Sequence, residues 1–468
     1  MLFNSLEYII FLPLVFVVYW CLFTKLKHQN ILLLVASYIF YGWWDWRFLF
    51  LIIFSSLVDY LIGLKIFHTQ QQTKRQKWLI ASLVSNLGIL SLFKYFNFFS
   101  SSLQDMLLLL GWQVDTITLN LILPIGISFY TFQTLSYTID IYRGNLQPSK
   151  NIISFFLYVS FFPQLVAGPI ERGTNLLPQI NAPRIFKYEL FKAGLFQIFI
   201  GLVRKMVIAD SLGVYVDSVY GYPEAQNSTT VLVATIFYAF QIYFDFAGYS
   251  DIAIGSAKLL GFHFNQNFNL PYFSQSITEF WRRWHISLSF WLRDYLYISL
   301  GGNRKGITIT YRNLMLTMLL GGLWHGSSWN FVIWGGIHGI ALIFERFLLN
   351  TRDKKFGWVG CLYTFLIVLV AWVFFRAKDL KSALFILNKL FEMNFALNFN
   401  NYLNLIIKLS FFLTLGVSFD FFLFKKKIPL ENIGKDFSLI KLIGWITLLI
   451  LMLTLFYSNS ENFIYFQF

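Results

Sequence analysis

Long apolar runs without a charged residue constrain this chain more than any other feature. Tyr8 to Thr24, Phe356 to Phe375 and Leu442 to Ser460 each lack Asp, Glu, Lys and Arg. A hydrocarbon core about 30 Å thick takes about 20 largely apolar residues per helix, and these runs approach or reach that length. An outer-membrane barrel would instead show segments of roughly 10 residues with alternating polarity; here the runs are apolar on every side. The expected fold class is therefore an all-α polytopic membrane protein. Composition agrees, because 13% of the residues are charged against about 25% in a soluble domain.

The formal net charge of +14 does not point to nucleic acid, since the basic residues fall in short links between apolar runs. Lys25 and Lys27, then Lys74, Arg75 and Lys77, then Arg352, Lys354 and Lys355, then Lys425, Lys426 and Lys427 mark cytoplasmic loops by the positive-inside rule. That assignment places the N-terminus outside. The first apolar run has neither a basic residue before it nor a small-residue cleavage pattern after it, so it is expected to stay as a membrane helix rather than leave as a signal peptide. Cys21 and Cys361 both lie in apolar runs, which favours buried structural thiols over a disulfide framework.

Up to about Phe99 the chain reads as plain helical hairpins. Pro163 to Pro183 holds four of the ten prolines together with Gly168, Glu171, Arg172 and Gly173, and irregular backbone at membrane depth must be buried in protein or line a wet cavity. Phe240 to Arg304 is unusually polar, with Asp245 and Asp251 early and His285 later. Leu314 to Phe344 is free of charge but longer than one ordinary span, and Gly321, Gly322, Gly326, Ser327 and Ser328 interrupt it. A broken or paired helix is expected there. No internal repeat or linker is visible, so residues 1–468 read as one integral membrane domain.

Ionisable groups inside membrane segments cost free energy and usually mark sites. Histidine is the most useful, because a neutral ring accepts a proton near physiological pH. His325 lies in Gly321-Gly322-Leu323-Trp324-His325-Gly326-Ser327-Ser328-Trp329, where glycines admit a substrate and tryptophans wall the space. On spacing alone, a membrane histidine serves equally as a hydrogen-bonding group between helices. His285 lies in Phe280-Trp281-Arg282-Arg283-Trp284-His285-Ile286-Ser287-Leu288-Ser289. A continuous helix would put Trp281, His285 and Ser289 on one face. With Trp324, Asp245 and Asp251, Trp281 and Ser289 are the candidate walls of a site. Arg282, Arg283, Arg293, Arg304 and Lys305 have the chemistry to hold the phosphates of a soluble donor, although arginine and aromatic anchors also mark a plain interfacial helix. There is no H-E-x-x-H pair, cysteine set for zinc or G-x-S-x-G elbow, so no metal site is expected. Gly301-Gly302-Asn303-Arg304-Lys305-Gly306 does not match the G-x-x-x-x-G-K-[ST] loop and reads as a basic turn.

These segments, together with Met1-Leu2-Phe3-Asn4-Ser5, Leu123-Pro124-Ile125-Gly126-Ile127-Ser128-Phe129-Tyr130, Phe162-Pro163-Gln164-Leu165-Val166-Ala167-Gly168-Pro169-Ile170 and Phe244-Asp245-Phe246-Ala247-Gly248-Tyr249-Ser250-Asp251, resemble the membrane-bound O-acyltransferases, and among them the bacterial alginate O-acetyltransferase branch. The resemblance implies roughly ten to twelve transmembrane helices with re-entrant or broken helices around a central site. It implies acetyl transfer from cytoplasmic acetyl-CoA, a donor substrate rather than a bound cofactor, toward an extracytoplasmic polysaccharide through a separate extracytoplasmic partner protein. His325 matches the family's essential histidine, and His285 the position of its second, more variable polar residue. A bacterial inner membrane is the implied location. The C-terminal Phe463-Ile464-Tyr465-Phe466-Gln467-Phe468, outside by charge logic, is similar to the tyrosine-containing end of the small protein that works with the teichoic acid D-alanylation member. There the tyrosine is thought to carry the acyl group. Tyr465 is thus a candidate acyl relay, with an interfacial aromatic anchor as the equal alternative.

Two other classes fit part of the pattern. A secondary transporter would explain intramembrane Asp, Arg and His, but often carries two related halves, which are not visible. A non-catalytic secretion scaffold would have no need of both His285 and His325.

Overall fold

The computed structural model describes residues 1–166, 168–349, 357–392 and 402–426, with Ile443, Gly444, Thr447 and Ile464. Among the described residues there are helices and no strands. The expected run Leu442 to Ser460 lies almost wholly outside them. The chain separates into two compact units, one of residues 1–186 and 260–264, the other of residues 187–259 and 265–468.

The first unit contains α1 (Leu6–Val17), α2 (Leu26–Asp45), α3 (Leu49–His68), α4 (Gln72–Leu90), α5 (Phe96–Leu109), α6 (Ile127–Arg143), α7 (Ile152–Ser160), α8 (Phe162–Leu165) and α9 (Gly173–Asn181). One face of α1 packs Tyr8 and Phe11 on Phe40 and Phe162, while Leu6, Ile9, Ile10 and Leu14 stay exposed, as suits a helix that meets hydrocarbon. A buried carboxylate inside this unit is paired, as a medium without water requires: Asp59 accepts from Ser82 at 2.6 Å and from Asn86 at 2.7 Å. The proline-rich stretch from Pro163 is more regular than its composition suggests. Pro163 sits in the first turn of α8, where its missing N–H costs nothing.

The second unit contains α10 (Tyr188–Leu202), α11 (Asp210–Gly221), α12 (Ser228–Leu259), α13 (Ile277–Arg283), α14 (Ile286–Trp291), α15 (Ile307–His325), α16 (Trp329–Leu349), α17 (Gly357–Arg376), α18 (Leu380–Phe391) and α19 (Leu403–Lys426). Its centre is α12, 32 residues long and buried on nearly every side. A widened turn, Val203–Ala209, joins α10 to α11; such π-type turns often occur at functional sites. Among the described residues, six helical segments are long and apolar enough to cross a membrane, α12, α17 and α19 among them. Cys21 is exposed and Cys361 partly buried, both as free thiols. This corrects the expectation of buried cysteines: an apolar membrane helix turns many of its residues outward to lipid, so an apolar run does not imply burial.

The break expected within Leu314 to Phe344 falls between His325 and Trp329, where α15 ends and α16 begins. Glycine makes the hairpin possible. A Cβ on Gly335 would sit 2.2 Å from the carbonyl oxygen of Met318, and one on Gly322 2.2 Å from that of Phe331, so the two backbones touch as small-residue membrane interfaces do. Gly335→Ala is expected to lower stability by about 1–3 kcal/mol, the usual cost of overpacking. Gly88→Ala, with nothing within 4 Å of its new methyl, should leave the melting temperature in detergent unchanged or slightly raised. Equal melting shifts for the two would refute this packing.

Candidate active site

His325 is the last residue of α15 and is 3% exposed. Three rings meet it edge-on: Trp324 and Trp334 with centroids at 5.0 Å, and Phe375 at 5.5 Å. Phe375 comes from α17 and is held against Phe331 at 4.9 Å. Phe331 fits only because residue 326 is glycine, where a Cβ would lie 2.1 Å from its ring. The Trp-His-Gly sequence therefore ends a helix, admits an aromatic wall and leaves the imidazole buried in an aromatic enclosure.

His285, fully buried, lies with its ring centroid 6.5 Å from that of His325. The expected single helix through Trp281, His285 and Ser289 does not form. α13 stops at Arg283, and His285 takes a left-handed conformation with φ 41° and ψ 56°, uncommon for a residue with a side chain. Loop 265–269 holds this break on both sides: Asn269 N–H donates to Arg283 O and Ile286 N–H to Asn267 O, both at 2.9 Å. The side chain of Asn267 meets His285 Nδ1 at 3.1 Å. Ser289, in α14, donates its hydroxyl to Trp284 O at 3.2 Å. Trp281 packs on Trp334 at 5.7 Å and on His338 at 5.2 Å. Glu345 of α16 fixes α13 by accepting from the backbone N–H groups of Ile277 and Thr278, a carboxylate at a helix N-terminus.

Asp245 and Asp251 are held by ion pairs. Asp251 accepts from Arg204 at 2.7 Å and from Gln197 at 3.1 Å. Asp245 pairs with Lys205 at 2.7 Å, and its other oxygen accepts from Ile464 N–H at 2.8 Å. Arg204 also reaches Asp420 of α19 at 2.6 Å, and Lys205 reaches Asp210 at 2.7 Å. Asp251 nevertheless borders a cavity of about 40 Å³ shared with Gln197, Arg204, Ser250, Gln266 and Asn267, on whose wall Asn267 connects to His285. The expected phosphate-holding set is heterogeneous. Arg282, Arg304 and Lys305 are exposed, Arg283 is paired with Glu279 at 2.8 Å and Arg293 with Asp294 at 2.6 Å. Arg304 and Lys305 lie in a turn in which Gly301, Gly302 and Gly306 take positive φ. Tyr465 lies outside the described residues.

Sequence reasoning missed Trp334, Asn267 and the Arg204 network. Arg204, Lys205 and Asp420 carried a readable signal, charges within apolar stretches. Trp334 and Asn267 carried none, since only folding brings them to the histidines. The indole N–H groups of Trp281, Trp284 and Trp334 are buried without a hydrogen-bond partner among the described residues, and they are donors only. The enclosure thus offers imidazoles able to take a proton and indoles able to stabilise developing negative charge.

The ion network gives a stability test. Arg204→Leu strands two buried carboxylates, and removing one partner of a buried pair costs about 3–5 kcal/mol. A large drop in thermal stability of the purified protein is expected, partly recovered when Asp251→Asn and Asp420→Asn are added. No recovery would mean that packing, not charge, is what Arg204 contributes.

Comparison with known proteins gives a consistent answer. The family model for MBOAT, the membrane-bound O-acyltransferase family, matches residues 39–382. A probable alginate O-acetylase (AlgI) of Pseudomonas putida is 47% identical over 388 residues, 82% of this chain and 79% of that protein. A peptidoglycan O-acetyltransferase of Helicobacter pylori is 38% identical over 433 residues, 84% of this chain and 80% of that protein. A teichoic acid D-alanyltransferase of Bacillus subtilis is 29% identical over 251 residues, 51% of this chain and 63% of that protein.

Proposed function

The chain belongs to the membrane-bound O-acyltransferase family and is a multi-pass O-acyltransferase, and we propose that it moves acetyl groups from cytoplasmic acetyl-coenzyme A across a bacterial inner membrane for O-acetylation of an extracytoplasmic polysaccharide. The single observation that carries the reading is the pair His285 and His325, drawn from distant parts of the sequence to 6.5 Å inside one aromatic enclosure. The relatives named as acetylases of alginate and peptidoglycan support an envelope polymer as the final acceptor, reached through a separate extracytoplasmic protein.

In this mechanism neutral His325 takes the proton of an acceptor hydroxyl as that oxygen bonds to the thioester carbonyl carbon. The tetrahedral adduct then expels the thiolate, the carbon–sulfur bond breaks, and the proton passes to sulfur, leaving an ester and a free thiol. The developing oxyanion needs a preorganised donor in a dry site. Ser289 already spends its hydroxyl on Trp284 O, so the indole of Trp334, beside His325, is the best-placed donor. Arg282, Arg304 and Lys305, exposed and basic, supply contacts for the donor's phosphates. The N-terminus and the C-terminal hexapeptide lie outside, and Tyr465 is the first acceptor, passing the acetyl group to the partner.

His325→Ala is expected to lower acetyl transfer at least about 100-fold, the low end of general-base contributions, while the protein inserts and melts normally; undiminished transfer would falsify the role. Tyr465→Phe is expected to abolish polymer acetylation in cells. Full acetylation in that variant would leave Tyr465 as a membrane anchor alone.

A further inference from the structure

We propose that Asn267 is a positioning residue that locks His285 in the tautomer protonated on Nδ1, so that Nε2 is the hydrogen-bond acceptor that this ring presents to the site. The inference rests on the reading of His285 and His325 as the centre of acyl transfer, and it assigns to His285 the part of hydrogen-bond acceptor rather than oxyanion donor.

The tautomer follows from a donor count at one atom. Oδ1 of Asn267 faces three groups: Ser287 Oγ at 2.9 Å, Ser287 N–H at 3.4 Å and His285 Nδ1 at 3.1 Å. A backbone N–H can only donate, so the amide atom facing it is the oxygen, and a carbonyl oxygen only accepts. Rotating the amide would set its NH2 against that N–H, two donors facing each other, whereas as placed Nδ2 donates to Ser250 Oγ at 3.1 Å. His285 Nδ1 therefore carries the proton. In the neutral ring the other nitrogen is then an acceptor.

The backbone supports the same conclusion. The carbonyl of Asn267 also accepts from Ile286 N–H at 2.9 Å, so one residue fixes both the left-handed backbone of His285 and the proton on its ring. Backbone held in a sparsely populated region persists where its surroundings over-determine it, often at functional sites. Ser250 belongs to α12 and Asn267 borders the polar cavity with Arg204 and Asp251, so the clamp is anchored to the buried ion network. A hydroxyl or water held between the two imidazoles can donate to His285 Nε2. The proton of the attacking hydroxyl still passes to His325, while the Nδ1–H bond to Asn267 keeps His285 Nε2 as a fixed hydrogen-bond acceptor beside it.

Nitrogen NMR of the full-length protein labelled with 15N-histidine tests this, with the His285 signals identified by their loss in His285→Gln. The expected result is a neutral ring protonated on Nδ1 in the wild type and in Asn267→Asp, which keeps an acceptor, and a mixed or Nε2-protonated ring in Asn267→Leu. Alongside, Asn267→Leu should lower kcat for acetyl transfer on the order of 10- to 100-fold, the range seen when the partner orienting a metal-site imidazole is removed. The KM for the donor should stay unchanged, and Asn267→Asp should recover most of the rate. An Nε2-protonated ring in the wild type, or a spectrum that Asn267→Leu does not alter, overturns the proposal. The expected spectra in a protein without acetyl transfer would sink the acyl-transfer reading and leave the tautomer assignment standing.

Discussion

The polar side of the second unit is held together by the guanidinium of Arg204, closed between Asp251 of α12 and Asp420 of α19. Taking a charge out of water costs several kcal/mol per ion, recovered only with close, well-bonded partners. Placing Arg204 and Lys205 on a widened turn thus obliges carboxylates from α11, α12 and α19 to converge on it. That convergence fixes α12, and α12 carries Ser250, which holds Asn267, which holds His285. The His285 imidazole is thus placed by short polar contacts that lead back to the ion network.

The other imidazole is placed by packing. Between membrane helices lipid competes on equal terms with apolar side chains, so close backbone approach and internal hydrogen bonds supply the association. Gly322 and Gly335 bring α15 and α16 into backbone contact, and the reversal leaves His325 at the helix end under Trp334. Large aromatic rings from α17, Trp372 and Phe375, complete the enclosure behind Trp334. The two histidines reach one site by independent means, one through polar contacts to an ion network and one through glycine packing.

Where sequence reading and structure part, the cause is physical each time. Trp281, His285 and Ser289 share a face only if the helix continues, and loop 265–269 breaks it by pairing with Arg283 and Ile286; no local propensity announces a clamp made by a distant loop. Asp245 and Asp251 were legible as intramembrane carboxylates, but their pairing with Lys205 and Arg204 needed the fold. The five candidate donor-binding cations look alike in sequence, whereas the structure pairs Arg283 and Arg293 with carboxylates.

By itself the sequence determined that the chain is helical and crosses a membrane many times, because a bilayer permits few ways to bury an apolar run whose backbone must satisfy itself. It also pointed to His325 as a candidate: a histidine beside glycines in a charge-free stretch is costly, and its pattern resembles the family. The tertiary structure alone decided which groups face those histidines. Asn267 and Trp334 reach the site only because the chain breaks and reverses beside the histidines, and contacts made across a reversal leave no periodic trace in the sequence.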